Sequence, residues 1–302
     1  MIHCALIAPH LHVSVTCQQY RSRDRATDSS TAAVSWQDML HSARASRIAI
    51  AFRLLIGVRT ASSFSMAAAA ADRRTVVVTG ADGGIGSSFC KHYASKGDQV
   101  FACRRKSTPD ASSLFDNNPN IHVVDGVDVT MDEGAGCLVS ALEKAGSPKV
   151  DVLINNAGVM KRDRNTLDIG VLRESMEVNA YGALRITNTL LGKRMLAAPG
   201  AKIILITSKM GSMADNSSGG AYGYRMSKAA LNAAGVSLAH DLKGDGMAVA
   251  ILHPGWVRTR MTGDSGLVDT HESVAGMTDR IEDLDLSNSG TFWGFKGDVI
   301  PW

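Results

Sequence analysis

Aromatic residues make up only 5% of this 302-residue chain, and it has seven prolines. Its five cysteines (Cys4, Cys17, Cys90, Cys103 and Cys137) are odd in number and never fall in a Cys-x-x-Cys pair. That argues against a disulfide frame and a zinc site, and for free thiols in a reducing compartment. No apolar run is long enough to span a bilayer, since the longest, Ser46 to Val58, is broken by Arg47 and Arg53. Acidic charge is scarce at one end only. Residues 1–65 hold seven arginines and three aspartates but no lysine and no glutamate. Residues 66–302 hold 25 basic and 26 acidic side chains, so this larger part is nearly neutral. It gives no reason to expect nucleic acid or an anionic membrane as a partner.

The Arg-rich, acid-poor stretch 1–65 lacks a sustained period and is expected to be a disordered extension or an organelle transit peptide. The first reading puts the working protein, starting at Met66, in the cytoplasm, and the second takes it to a mitochondrion or plastid. Residues 66–74 form a short lead-in, and 75–302 hold the fold. Thr75–Thr79 is a β-branched run, hence a buried strand. Further strands are expected at Gln99–Arg104, around His122, at Val150–Ile154, from Ile203 to Ser208 and at Met247–Leu252. Helices are expected at Ser87–Lys96, Met131–Ala145, about Gly170–Met195 and Tyr224–Leu242. Strands alternating with helices at this spacing predict an α/β single domain with a Rossmann-type doubly wound parallel sheet.

The chemistry gathers at strand ends. Gly80-Ala-Asp-Gly-Gly84-Ile-Gly86 follows the first strand and opens a helix, which brings a pyrophosphate against bare backbone and a helix N-terminus. At the end of the second strand, Arg104-Arg105-Lys106 stands where a dinucleotide's adenosine ribose is met. A basic cluster there favours NADP, whereas Asp82 in the glycine turn opposes it. Tyr224 and Lys228 are four residues apart on one helix face. An ammonium about 4 Å from the phenol contributes about 4 kcal/mol at an effective dielectric of about 20. That would bring the tyrosine from about 10 to near 7, where a general acid–base works best. Ser208, at a strand end 16 residues earlier, is placed to hold a carbonyl, with Ser212 and Ser217 as alternatives.

Thr79-Gly80-x-x-x-Gly84-x-Gly86, Asn155-Asn-Ala-Gly158, Asn179, Ser208, Tyr224-x-x-x-Lys228 and Pro254-Gly255 together resemble the short-chain dehydrogenase/reductases, over about residues 73–302. Tyr224-Arg-Met-Ser-Lys-Ala-Ala-Leu-Asn232 and His253-Pro-Gly-Trp-Val257 resemble the carbonyl-reductase branch, sniffer-like and C-factor-like. The resemblance implies that Gly80, Gly84 and Gly86 receive the pyrophosphate with Ile85 packed beneath. It implies that Asp128 meets the adenine and that Asn156 and Gly158 line the nucleotide. Tyr224 then gives its proton to the substrate oxygen, and Lys228 tunes it and binds the nicotinamide ribose. Ser208 positions the carbonyl, Asn179 holds a water in the proton relay, and Thr259 meets the carboxamide beside Pro254 and Gly255. NADP(H) is the preferred cofactor, with NAD(H) possible, and the partners are a small carbonyl substrate and a second or further copies in a homodimer or homotetramer. Cys103 is read as packing, His253 as structural and Trp256 as an anchor for a lid. The mobile-looking segment Thr259 to about Ile281, with Gly263, Gly266 and Gly276, is expected to set the substrate. The alternatives are an NAD-dependent alcohol dehydrogenase on a steroid-like or acyl substrate, and a catalytically silent nucleotide-binding signalling protein.

A chain begun at Met66 is expected to keep the full chain's melting temperature and NADPH binding. A loss of several degrees would show that residues 1–65 pack on the domain, and their fusion to a reporter in cells separates a transit peptide from an unused extension.

Overall fold

The apolar runs form seven strands: β1 (Thr75–Thr79), β2 (Gln99–Cys103), β3 (Ile121–Val124), β4 (Val152–Asn155), β5 (Lys202–Ile206), β6 (Ala248–His253) and β7 (Phe292–Gly294). Between them stand α1 (Gly84–Ser95), α2 (Asp132–Lys144), α3 (Ile169–Met176), α4 (Gly182–Gly192), α5 (Tyr222–Asp241) and α6 (Thr270–Glu282). The computed structural model describes residues 73–106, 113–115, 117–146, 148–161 and 167–302. Both readings of residues 1–65, and most of the lead-in, lie outside the described residues.

All strand pairs are parallel, in the order β3-β2-β1-β4-β5-β6-β7. This is the doubly wound sheet that the strand–helix alternation predicts. Along β1 the pleat sends Val77 to one face and Val76 and Val78 to the other. The first face is covered by α2, α4 and α5 through Leu138, Leu142, Ile186, Leu190 and Leu231. The second is covered by α1 and α6 through Phe89, Tyr93, Val274, Met277 and Ile281. Each such side chain contributes about 1.5–3 kcal/mol by leaving water. The chain runs outward from β1 to β3 and returns to the other side of β1 for β4. Order reverses there, and in open sheets the crevice outside the strands' carboxyl ends at that point is where ligands bind.

Three local expectations need correction. The segment expected to be mobile holds α6, and β7 follows it unforeseen. Val274, Met277 and Ile281 recur at helical spacing and are buried, while the Asp269 carboxylate caps the helix by accepting from Glu272 N at 2.8 Å. Glycines in this stretch thus mark tight packing and turns, and the helical period beneath them decides the structure. The long helix expected over Gly170–Met195 is interrupted: α3 gives way to a π-helical turn, Glu177–Tyr181, before α4 begins. Such turns cluster at functional sites, and this one carries Asn179. Finally, α5 starts at Tyr222, two residues before the expected Tyr224.

Candidate active site

Loops from the carboxyl ends of β1, β4, β5 and β6 build the site. The turn after β1 runs into α1, whose start has no side-chain cap and whose first turn has no acidic residue. A Cβ at Gly86 would fall 2.2 Å from the Gly80 carbonyl oxygen, so only glycine lets the turn coil this closely. Uncapped amides at the positive end of a helix, with no carboxylate beside them, form a cradle for a diphosphate. The loop after β4 is stapled to this turn. The Asn156 side-chain amide donates to Thr79 O at 2.9 Å and Gly80 O at 3.1 Å. The Thr79 hydroxyl accepts from the backbone N–H of Asn156 at 3.0 Å and of Ala157 at 3.1 Å. Asn156 therefore spends its amide on shaping the turn, and Thr79, assigned no role from the sequence, shapes it with Asn156. Ile85 packs against the core on the α1 side. From the β6 side, the Thr259 methyl comes within 3.2 Å of where a side chain on Gly84 would begin.

The basic cluster after β2 is not a pair of equivalent cations. Arg104 is buried, and its Nε and Nη2 donate to Asp125 Oδ1 at 2.8 and 2.7 Å. Its Nη1 is buried without a partner, whereas Arg105 is exposed. Burial pushes the Asp82 carboxyl up, against the pull of Arg104, Arg105 and Arg260. Asp128 is raised by burial but lowered further by two hydrogen bonds from Thr130 and by Arg105 and Arg185, so it ends below the usual carboxylate range. A buried guanidinium nitrogen left unpaired is able to take an anionic oxygen. With the uncapped α1 cradle it makes these residues fit a phosphate-bearing dinucleotide.

Ser208, Tyr224, Lys228 and Asn179 are all buried and stand together at the ends of β4 and β5. The Tyr224 hydroxyl faces the Ser208 side chain, which pulls its pKa downward. Of the other serines, Ser212 accepts from Asp215 N at 3.1 Å and Ser217 is exposed, so the geometry favours Ser208. Ser208 opens a single 3-10 turn, Lys209–Gly211, and a Cβ at Gly211 would meet the Lys228 backbone at 2.8 Å. Glycine there lets the turn lie flat on α5. Lys228 Nζ donates to Ile206 O at 2.8 Å and lies 5.9 Å from the Tyr224 ring centre. The Asn179 amide donates to Val159 O and to Ser227 Oγ, both at 2.9 Å, and its carbonyl accepts from Val159 N at 2.7 Å. Two donors and one lone pair are thus committed, and the second lone pair on Oδ1 is left as the side chain's acceptor for a water. Gly158 sits between Asn179 and Lys228, 3.2 and 3.6 Å from the point where its own Cβ would stand.

The electrostatics differ from the sequence expectation. Burial pushes the Tyr224 phenol above its ordinary 10, with Ser208 pulling partway back. Lys228 does not offset this, because its Nζ is turned to the Ile206 carbonyl and burial lowers the ammonium itself to about 8. At neutral pH the pair is a protonated phenol beside an ammonium that is easily discharged.

After β6, Pro254 O accepts a 2.6 Å bond from the buried Ser273 hydroxyl of α6, which pins the Pro254-Gly255 turn. No sequence signal marks Ser273 beyond its place on the buried face of that helix. The Trp256 ring is exposed, while its carbonyl accepts from Leu267 N at 2.7 Å. The backbone of Trp256 thus anchors the loop, and its ring is free to face a substrate. His253 is lowered to about 4 by burial and is neutral at pH 7. Cys103 is buried with its thiol pushed up, consistent with packing.

The family model for short chain dehydrogenases matches residues 74–267. The 1-hydroxy-2-glutathionyl-2-methyl-3-butene dehydrogenase of Rhodococcus sp. (strain AD45) is 37% identical over 233 residues, covering 76% of this chain and 99% of that protein. Among solved structures, the NADPH-bound carbonyl reductase from chicken fatty liver is 31% identical with a TM-score of 0.69, over 76% of this chain and 99% of that one. The carbonyl reductase Sniffer of D. melanogaster is 28% identical with a TM-score of 0.67, over 76% of this chain and 100% of that one. Among the described residues no helix is long and apolar enough to cross a membrane.

Burial of Lys228 makes stability depend on pH. Its ammonium titrates at 10.5 when exposed and at about 8 in the fold. Below the lower value both states carry the charge and folding bears the burial cost. Between the two values the folded chain gives up its proton first, so stability rises with pH across that window. Lys228→Met is expected to stabilise the cofactor-free protein at pH 7 by about 1–3 kcal/mol, at about 1.36 kcal/mol per pH unit less one hydrogen bond. The melting temperature should rise by several degrees at pH 7, with the gain fading toward pH 10. A lower melting temperature at pH 7 would show that the lysine is not a buried charge.

Proposed function

The chain belongs to the short-chain dehydrogenase/reductase family of NAD(P)-dependent oxidoreductases, and within it we propose NADPH-dependent reduction of a ketone or aldehyde to an alcohol, with Tyr224 as proton donor. The observation that carries this reading is the buried Ser208–Tyr224–Lys228 cluster at the carboxyl end of β5, one strand along from the crevice between β1 and β4. The glycine turn, Arg104, Arg105, Asp128, the Asn156–Gly158 loop, Pro254, Gly255 and Thr259 would hold the dinucleotide. A bound nicotinamide supplies the hydride for the carbonyl carbon.

The chain's own residues do the rest. The Ser208 hydroxyl, already accepting from Met210 N at 3.2 Å, keeps its proton for the carbonyl oxygen. Tyr224 gives that oxygen its proton as negative charge develops there. A phenol raised by burial is fully protonated at neutral pH, which suits reduction, whereas the reverse oxidation needs a phenolate and gains from alkaline solution. Lys228, still charged at pH 7 and held on the Ile206 carbonyl, would meet the nicotinamide ribose. A water on Asn179 resupplies the proton.

Tyr224→Phe keeps the packing and removes the proton. Turnover of a competent ketone is expected to fall by about 10²–10⁴-fold, with NADPH affinity unchanged by fluorescence titration. Turnover by the Phe variant at the parent rate would end the assignment.

The finer choice of cofactor rests on the basic cluster. One charge-assisted contact to a 2′-phosphate contributes about 1.5–3 kcal/mol, or about ten- to a hundredfold in affinity. NADPH is therefore expected to bind more tightly than NADH by about that factor. Arg104→Asp would set two carboxylates together around Asp125, so Arg105→Asp is the cleaner probe. It should erase or invert the preference, and Asp82→Arg should increase it. Equal dissociation constants in the parent, unmoved by Arg105→Asp, would reduce the cluster to a solvated turn.

A further inference from the structure

Arg225 follows Tyr224 directly, and no motif or resemblance gives it a role. Its guanidinium makes three hydrogen bonds to neutral oxygens in two separate segments. Nε donates to Gly220 O at 3.1 Å, Nη2 to Ser218 Oγ at 2.9 Å and Nη1 to Met210 O at 3.3 Å. Met210 is the middle residue of the turn that Ser208 opens, and its N–H donates to Ser208 Oγ at 3.2 Å. One residue therefore separates the guanidinium from the hydroxyl that faces Tyr224. We infer that Arg225 is a positioning residue for the proposed reduction: it clamps the Ser208 turn to the loop entering α5, and so sets where Ser208 stands against Tyr224.

The loop needs such a clamp. Fifteen residues lie between Ser208 and Tyr224, and the last part before α5 is strained. Gly219, Gly220 and Ala221 are successive left-handed residues, with φ of 60°, 66° and 49°, and for alanine that conformation costs about 1–2 kcal/mol. Ala221 is also the N-cap of α5 and offers no side-chain cap. The first half of the loop has its own ties, Ala214 N to Trp302 O at 2.9 Å and Lys209 Nζ to Asp215 Oδ1 at 3.0 Å, whereas the half next to α5 has the local bond of Gly219 N to Asn216 Oδ1 at 3.1 Å. The fork of Arg225 reaches from α5 to both ends. A planar guanidinium suits this because its donors diverge in fixed directions, which a lysine ammonium on a flexible stem cannot reproduce.

The inference rests on the reading of Ser208 and Tyr224 given above, and a double-mutant cycle separates the two. Arg225→Met is expected to lower kcat by about ten- to a hundredfold, the scale of a small misplacement of a reacting group, while the NADPH dissociation constant moves less than about twofold. Arg225→Lys should fall between parent and Met, and serves if the Met variant folds poorly. In a Ser208→Ala background either change should cost less than about threefold, since partners acting through one group are not additive. Hydrogen exchange at residues 209–221 should quicken while the carboxyl-terminal half of α5 is unchanged. Equal losses in both backgrounds, or no loss in the parent, would overturn the inference while leaving the function intact. Full activity of Tyr224→Phe would instead remove the reading beneath it.

Discussion

Burial of a lysine ammonium and a tyrosine hydroxyl on one helix face is the constraint about which this site is built. Neither group is stable there unaided, because taking an ion out of water costs several kcal/mol after relaxation. The fold answers with a single carbonyl: Ile206, the last residue of β5, accepts from Lys228 Nζ at 2.8 Å. The same strand end turns the chain at Ser208, whose hydroxyl faces Tyr224. The end of β5 thus supplies the partner for each buried group. α5 can present both only because the turn after Ser208 lies flat against it at Gly211.

The burial needs neighbours that do not move, and the loops at the switch point are tied accordingly. Thr79 and Asn156 join the ends of β1 and β4 by four hydrogen bonds. Asn179 holds the next residue along that loop, Val159, by both its N–H and its carbonyl, and reaches Ser227 on α5 as well. One amide therefore links β4's loop, the π-helical turn and the helix of Tyr224. A regular α-helix from Ile169 to Gly192 would turn Asn179 about 100° per residue in strict phase, and the π turn resets that phase at this residue. Ser273 does for the loop after β6 what these residues do for the others.

Much of this was legible in the residues because the signals were redundant. β-branched runs at regular intervals specify the parallel sheet, and strand-to-helix turns place Gly80–Gly86, Asn156, Ser208 and Pro254 at one edge. Tyr224 and Lys228 share a face by spacing alone. What stayed hidden was of two kinds. The π turn and β7 were missed because a single phase reset between two short helices is hard to tell from scatter in the apolar stripe, and a three-residue strand is too short to show a period. The partners of buried groups were hidden too: that Arg104 spends its charge on Asp125 and Lys228 turns to a carbonyl follows from residues distant in sequence. For Tyr224 this reversed the sign of the expected shift, because burial was the larger effect and helical spacing says nothing of it. The segment from Thr270 misled for the opposite reason, its glycines being more conspicuous than the buried stripe of Val274, Met277 and Ile281.

The ribose end of the crevice shows why net charge is a poor guide to selectivity. Arg104, Arg105 and Arg260 face Asp82, Asp125 and Asp128, so the count of fixed charges is balanced. The balance is uneven in burial, however. The Arg104 side chain is 4% exposed, while that of its partner Asp125 is 41% exposed. Water therefore screens the carboxylate far more than the guanidinium, whose Nη1 remains orphaned. Leaving such a donor unsatisfied costs about 1–3 kcal/mol, a cost that an anionic oxygen arriving there removes. Asp82 stands against an anion there, its carboxyl raised by burial and pulled down by Arg104, Arg105 and Arg260. On the proposed reading, a phosphate is favoured by the buried Arg104 Nη1, and the surrounding exposed charges are screened by water.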